Sequence, residues 1–384
     1  MNSQFKRTAV AASLGVAASA QASLFRGAAL TPSVSADGIV TIQSTGFWRQ
    51  QIGTNVCSFP HAYIAGSTSI TGPGGNFTGT RNIVNQTQDL TDVRRTEISE
   101  TFTFDISAGG AGLYNITWSS CCWVPGVPNT SGSYSTTSSI YWDGESASTP
   151  ILFNLNNIQQ EVLRGTAYSS SLGAVAGAGL SLSYDETITG GVNFQPAGYS
   201  ISPDGTIHLT AAGTSAISDN NFNPGADVGY SGAIQASDGS SIEFVWVFDA
   251  VDDLNVPEVE DQVINALVGD SISTTIVGSD PADEALTWDF LSFFGSGVTT
   301  GDASFDPDTQ LFQWDSTGFG VGQYVASFRA TNESGFSDVG TVTINIGMLN
   351  GVPDPTPVPV PGSLLLMGAG LFGLGWGVFR RRRY

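Results

Sequence analysis

The sequence predicts an all-β protein: a large N-terminal β-sandwich, jelly-roll-like, then a smaller sandwich and a C-terminal hydrophobic anchor helix. Three observations predict it. Apolar residues alternate at period two in several segments, and no long helical period appears. Of 384 residues only 12% are charged, about half the usual share, and 47 are glycine, a composition that favours strands and turns. A run of 16 uncharged residues, Leu364 to Phe379, is followed at once by four arginines, the pattern of a short membrane span. The apolar fraction of 41% argues against disorder.

From the N-terminus, Lys6 and Arg7 precede an apolar stretch, Thr8 to Ala20, and the small-x-small site Ala20-Gln21-Ala22. This reads as a secretory signal peptide over 1–22, cut by signal peptidase. Residues 23–253 form the N-terminal sandwich region, one domain or two. Thr101 to Ile106 alternates cleanly, Ser107 to Gly112 is a turn, and Leu113 to Val124 is the return strand. Ile242, Phe244, Trp246 and Phe248 share one face of a strand whose other face includes Glu243. Leu155 to Tyr168 suits a helix or an edge strand. Gly72 to Gly75, Gly190-Gly191, Asp204-Gly205 and Asp238-Gly239 supply turns.

Asp249 to Pro257 is acidic and ends in proline, which places a boundary there. Residues 257–347 then carry short apolar segments at the spacing of a seven-stranded sandwich. Beyond them proline occupies every second position from Pro353 to Pro361. That density holds an extended chain, so 348–361 reads as a stalk. Residues 362–379 would cross the membrane, and Arg380, Arg381, Arg382 and Arg383 would stop on the cytoplasmic side.

Two resemblances follow from these residues. Val358-Pro359-Val360-Pro361-Gly362-Ser363, the Leu/Gly run and the arginine cluster resemble a PEP-CTERM sorting tail over 358–384, with Val360 where the family's usual motif carries Glu. The resemblance implies export by the secretion machinery, recognition by an exosortase-type membrane protease, and delivery to the cell surface or the extracellular polymer of a biofilm-forming bacterium. Gly278-Ser279-Asp280-Pro281 with Leu286-Thr287-Trp288, Phe305 to Thr309 with Phe312-Gln313-Trp314, and Arg329 to Gly335 resemble bacterial Ig-like and cadherin-like surface modules. They imply an Ig-like sandwich that spaces or presents something, as in adhesion, rather than an enzyme.

Charge narrows the partners. Loss of Lys6, Arg7 and the four terminal arginines leaves seven basic groups, all Arg, against 34 acidic ones. Such a surface excludes nucleic acid, which needs a basic face, and repels anionic polymers unless cations bridge them.

Signals for chemistry are sparse. His61 and His208 are the two histidines. No Gly-x-Ser-x-Gly elbow, zinc spacing, P-loop or dinucleotide fingerprint accompanies them, so no catalytic residue and no obligate cofactor are expected. Asp185-Glu186, and Asp143 with Glu145, are carboxylate pairs of the type a glycosidase uses, in a chain where such pairs arise by chance. Asp280, Asp283, Asp302, Asp306 and Asp308 fall near strand ends and supply the oxygens that Ca²⁺ prefers. Related cadherin-like modules sometimes bind it so, but Asn332 stands where many of them carry Asp. Solvated turn aspartates are the alternative. Tyr141 and Trp142, beside the Asp143-Gly144 turn, are candidates for stacking on extracellular polysaccharide.

An exported chain with three cysteines permits a disulfide and leaves one thiol over. Alternation puts Cys122 on the apolar face with Ile116, Trp118 and Val124, and Cys121 on the polar face. Cys57 shares its face with Phe59. A Cys57–Cys122 bridge is therefore expected, closing a loop of about 65 residues for roughly 4 kcal/mol. Cys57–Cys121, a vicinal Cys121–Cys122 bond and three free thiols remain as alternatives.

Overall fold

A computed structural model describes residues 25–48, 67–88, 96–121, 123–124, 126–155, 158, 161–220, 226–252 and 255–347. The signal peptide, Cys57, Cys122, the stalk, the Val358–Ser363 motif, the anchor helix and the terminal arginines lie outside the described residues, and so does the side chain of Cys121. Among the described residues no helix is long and apolar enough to cross a membrane.

The described chain is all-β. The first strands are β1 (Phe25–Val34), β2 (Ile39–Trp48), β3 (Ser67–Gly72), β4 (Gly75–Phe77), β5 (Gly79–Gln88), β6 (Thr96–Asp105), β7 (Gly112–Cys121) and β8 (Ser133–Trp142). Short strands follow: β9 (Ile151–Leu152), β10 (Glu161–Leu163), β11 (Tyr168–Ser171), β12 (Val175–Ala176), β13 (Leu182–Asp185), β14 (Tyr199–Ile201) and β15 (Thr206–Leu209), then one helix, α1 (Ala211–Ala216). The hairpin β16 (Val228–Ala236) and β17 (Ser241–Val251) completes this part.

Twelve of these strands make one sheet. Its main path runs β4-β3-β7-β8-β17-β1-β2-β6-β5, and β10, β13 and β16 attach beside it. The sheet folds over a core. Ile70, Ile116 and Trp118 from one arm share a cluster with Ile42, Phe102 and Phe104 from the other. Phe25 stacks on Tyr134 and meets the edge of Trp118 and Trp123.

β17 explains why a second core exists. Its sequence, Ile242 to Phe248, is apolar at nearly every position, the mark of a strand buried on both faces. Val245 and Val247 face the first core. Ile242, Phe244, Trp246 and Phe248 face the second, which the segment 151–217 covers. Trp246 lies where Gly27 clears space: a Cβ on Gly27 would sit 2.2 Å from the indole. Within the stretch 155–168, Glu161–Leu163 form the strand β10, which pairs in parallel with the end of β17, Glu161 opposite Asp249. Thr210 caps α1 by accepting from the Gly213 amide.

The remaining strands are β18 (Glu258–Val259), β19 (Gln262–Leu267), β20 (Ser271–Thr275), β21 (Gly278–Ser279), β22 (Thr287–Phe294), β23 (Ala303–Asp306), β24 (Leu311–Asp315), β25 (Gly322–Thr331) and β26 (Ser337–Gly347). They form a sandwich. The sheet β19-β26-β25-β22 faces β20-β24-β23 across Phe293, Phe312, Trp314, Tyr324 and Phe328. Among the described residues no strand of 258–347 pairs with one of 25–251. The two parts touch all the same: Glu161 of β10 accepts a hydrogen bond from the Ser337 amide at 2.9 Å.

Candidate binding face

Strands β3, β7 and β8 contain no charged residue, although the chain has 47. Alternation divides their side chains. Tyr114, Ile116 and Trp118 of β7, and Tyr134, Ile140 and Trp142 of β8, enter the core. The odd-numbered positions turn outward, and most carry hydroxyls or amides. Antiparallel register sets them in rows. Ser69 lies opposite Thr117, and Thr117 opposite Thr137. Thr71 lies opposite Asn115, and Asn115 opposite Ser139. Ser119 faces Ser135, and Leu113 faces Tyr141. Neighbours in a row stand about 5 Å apart, and successive rows about 7 Å apart along each strand.

The face is open in its middle and tied down at one margin. Ser69, Thr71 and Asn115 are exposed, and Thr117, Ser135 and Thr137 are half-buried. Among the described residues Thr71 alone of these six has a side-chain bond, donated to Asn76 at 2.9 Å. Ser139 is buried, and its hydroxyl hydrogen-bonds the Ser241 hydroxyl at 2.8 Å. Glu243 borders the face. Its Oε2 accepts from the Thr137 amide and the Thr189 hydroxyl.

Tyr141 and Trp142 point opposite ways. Tyr141 is 39% exposed and Leu113 40%. Trp142 is only 4% exposed and belongs to the core, packed so closely on Gly38 that a Cβ there would lie 2.6 Å from the ring. The expectation that Trp142 stacks on sugar is therefore corrected. The turn after it belongs to Asp143, whose Oδ1 accepts from the Glu145 and Ser146 amides. The parity of the strand had already assigned Trp142 to the side of Ile140.

Of the five aspartates of the smaller sandwich, Asp280, Asp302 and Asp306 have their carboxylates bonded locally. Asp280 accepts from the Ala282 and Glu284 amides and from Asn332 Nδ2 at 2.9 Å. The Asn332 bond is the largest cause holding its carboxyl below the ordinary value. Asn332 also donates to the Asn255 carbonyl. Asp302 accepts from the Thr299 amide and hydroxyl. Asp306 accepts from the Asp308 amide and the Thr309 hydroxyl. Asp283 adopts a left-handed turn conformation, φ 57°. Among the described residues no three His, Cys, Asp or Glu side chains converge as a metal site would require.

His208 stands in β15 with Nε2 3.3 Å from Ser202 Oγ. Ser202 in turn donates to Asp204. In a nucleophilic triad the acid orients the imidazole and the imidazole takes the serine proton. Here the hydroxyl proton goes to the acid, and Asp204 also accepts from the Thr206 amide. The three residues organise the β14–β15 turn.

One buried acid escaped the sequence reading. Asp338, 8% exposed, accepts from the Val259 amide at 2.6 Å and from the Val339 amide. Burial pushes its carboxyl up to about 7, against the two amide bonds, and the charges of Asp261 and Glu258 add to the rise. The signal was available: Asp338 shares its strand face with Val342, Ile344 and Ile346, which are core.

Comparison with known proteins gives one sequence match. Residues 357–383 carry a PEP-CTERM protein-sorting motif. No curated protein matches the chain. Among solved structures, the chain is similar to the N-terminal Ig1-2 module of the Drosophila receptor protein tyrosine phosphatase DLAR, 11% identical over 52% of this chain and 100% of that one, TM-score 0.24. It is also similar to Drosophila N-cadherin EC1-4, 12% identical over 82% of this chain and 72% of that one, TM-score 0.22. At these scores neither likeness bears on function.

Proposed function

We propose that the chain is a non-catalytic surface or extracellular-matrix protein that displays two β-sandwich parts on a proline stalk, in adhesion or biofilm structure. The sorting motif at 357–383 carries this reading. It implies export and handling by an exosortase-type system. The large double-cored sheet supports a display role, since 25–251 and 258–347 meet through contacts such as Glu161 to Ser337 while keeping separate sheets. The stalk would hold them clear of the membrane and leave the tail accessible.

Deleting residues 362–384 tests this. Fractionation of producing cells should find the product of the complete sequence at the surface or in the matrix, and that of the truncated sequence moved to the periplasm or the medium. The same distribution for both would contradict the proposal. A second reading, a carbohydrate-binding role for the N-terminal part, is supported by the charge-free outer face of β3, β7 and β8.

A further inference from the structure

The outer face of β3, β7 and β8 selects its ligand by charge and by hydrogen-bond chemistry. A serine or threonine hydroxyl both donates and accepts, and so does an asparagine amide. A surface built from Ser69, Thr117, Thr137 and Asn115 therefore suits a partner that also does both at short intervals. A polyol does so at every hydroxyl, whereas an ionised phosphate or carboxylate group only accepts. The three strands carry no charge in a chain of net −21, and the one carboxylate at their margin, Glu243, is negative, so an anionic polymer finds no counter-charge on the face and repulsion around it. A cationic partner would settle on the acidic surfaces instead.

Two further features fit the same partner. Leu113 and Tyr141 stand side by side at one end, both about 40% exposed. They offer an apolar and aromatic platform for the hydrophobic face of a sugar ring. The face is also held rigid from behind, because Ile116 and Trp118 are fully packed in the core. A preorganised surface gives up little entropy on binding.

We propose that this face docks an uncharged polysaccharide chain, with the hydroxyl rows meeting its hydroxyl groups and Tyr141 against one ring. The inference rests on the matrix reading above, yet it fails separately: the deletion reads location, and the following experiment reads affinity.

The full chain is run in native gels containing hydroxyethylcellulose, soluble starch or alginate. The expected result is retardation by a neutral polymer, none by alginate, and no change on adding salt, since charge is not involved. The Thr117→Val/Thr137→Val double variant, which keeps the shape of both side chains and removes their hydroxyls, should lower the affinity at least about tenfold, and Tyr141→Ala should lower it in part. These positions face outward, so melting temperatures should stay near that of the unaltered chain. Failure of both neutral polymers to retard the protein would overturn the proposal, and so would equal retardation of the double variant or a preference for alginate. A dimer that forms with rising concentration and is lost in the double variant would mean that the face docks a second copy instead.

Discussion

Trp246→Ala should destabilise the N-terminal part by about 3–5 kcal/mol, the range for emptying a large aromatic site in a packed core. The indole is fully buried. Its ring stands edge-on to Phe47 at 4.5 Å and lies over Gly27, which has no side chain to refill the space. β17 separates two cores, so its backbone cannot sink into one without leaving the other. For a part of this size the loss corresponds to a fall in melting temperature on the order of 10 °C. Calorimetry on the full chain reads it as a shift of one transition, with the transition of residues 258–347 little moved. A shift under about 2 °C would mean that the second core is not packed as described.

Asp338→Asn should change the pH dependence of the smaller sandwich. Asp338 is buried and its folded carboxyl is raised to about 7, chiefly by desolvation. A raised acid binds its proton more tightly when folded. Its contribution is therefore complete below the unfolded value of about 4 and is lost as pH rises to about 7. Above that range the ionised carboxylate costs the fold on the order of 4 kcal/mol at most, three pH units of linkage. Asparagine carries no such cost, although its Nδ2 cannot accept the amide bond that one carboxylate oxygen takes, a loss that is the same at every pH. The unaltered protein should therefore lose several degrees more than the variant between pH 4 and pH 8. The comparison between the two removes other carboxyls from the result, including Asp306 and Asp315, whose lowered values act in the opposite direction. An equal change in both melting temperatures from pH 4 to pH 8 would show that Asp338 is not desolvated in the folded protein.

Much of this architecture is written in local sequence. The alternation in Thr101 to Asp105 sends Phe102 and Phe104 inward, as period two requires. Ile242 to Phe248 announces a strand buried on both faces by leaving hardly a polar position. Glu243, the exception, sits at the margin with its carboxylate bonded. The segment 151–217 is less legible, because its strands are two to four residues long and are held by partners far away. β10 finds β17 about 90 residues later in sequence, and nothing within Glu161 to Leu163 encodes that pairing.

The candidate face was half visible. Each of β3, β7 and β8 shows its row of Ser and Thr at alternate positions, but the register that aligns Ser69, Thr117 and Thr137 spans 68 residues and appears only in the fold. At Trp142 the turn signal Asp143-Gly144 and strand parity point opposite ways, and parity prevails, since the ring is in the core. Asp338 is a polar residue on the apolar face of Val342, Ile344 and Ile346, and that contrast is the informative signal for a buried acid.

The central claim, export followed by tail-directed sorting and processing, is tested most directly by the intact mass of protein released from the cells into the matrix. The expected product begins at Ser23 and lacks Leu364 to Arg383. Recovered protein that begins at Met1, or that retains Arg380 to Arg383, would contradict it.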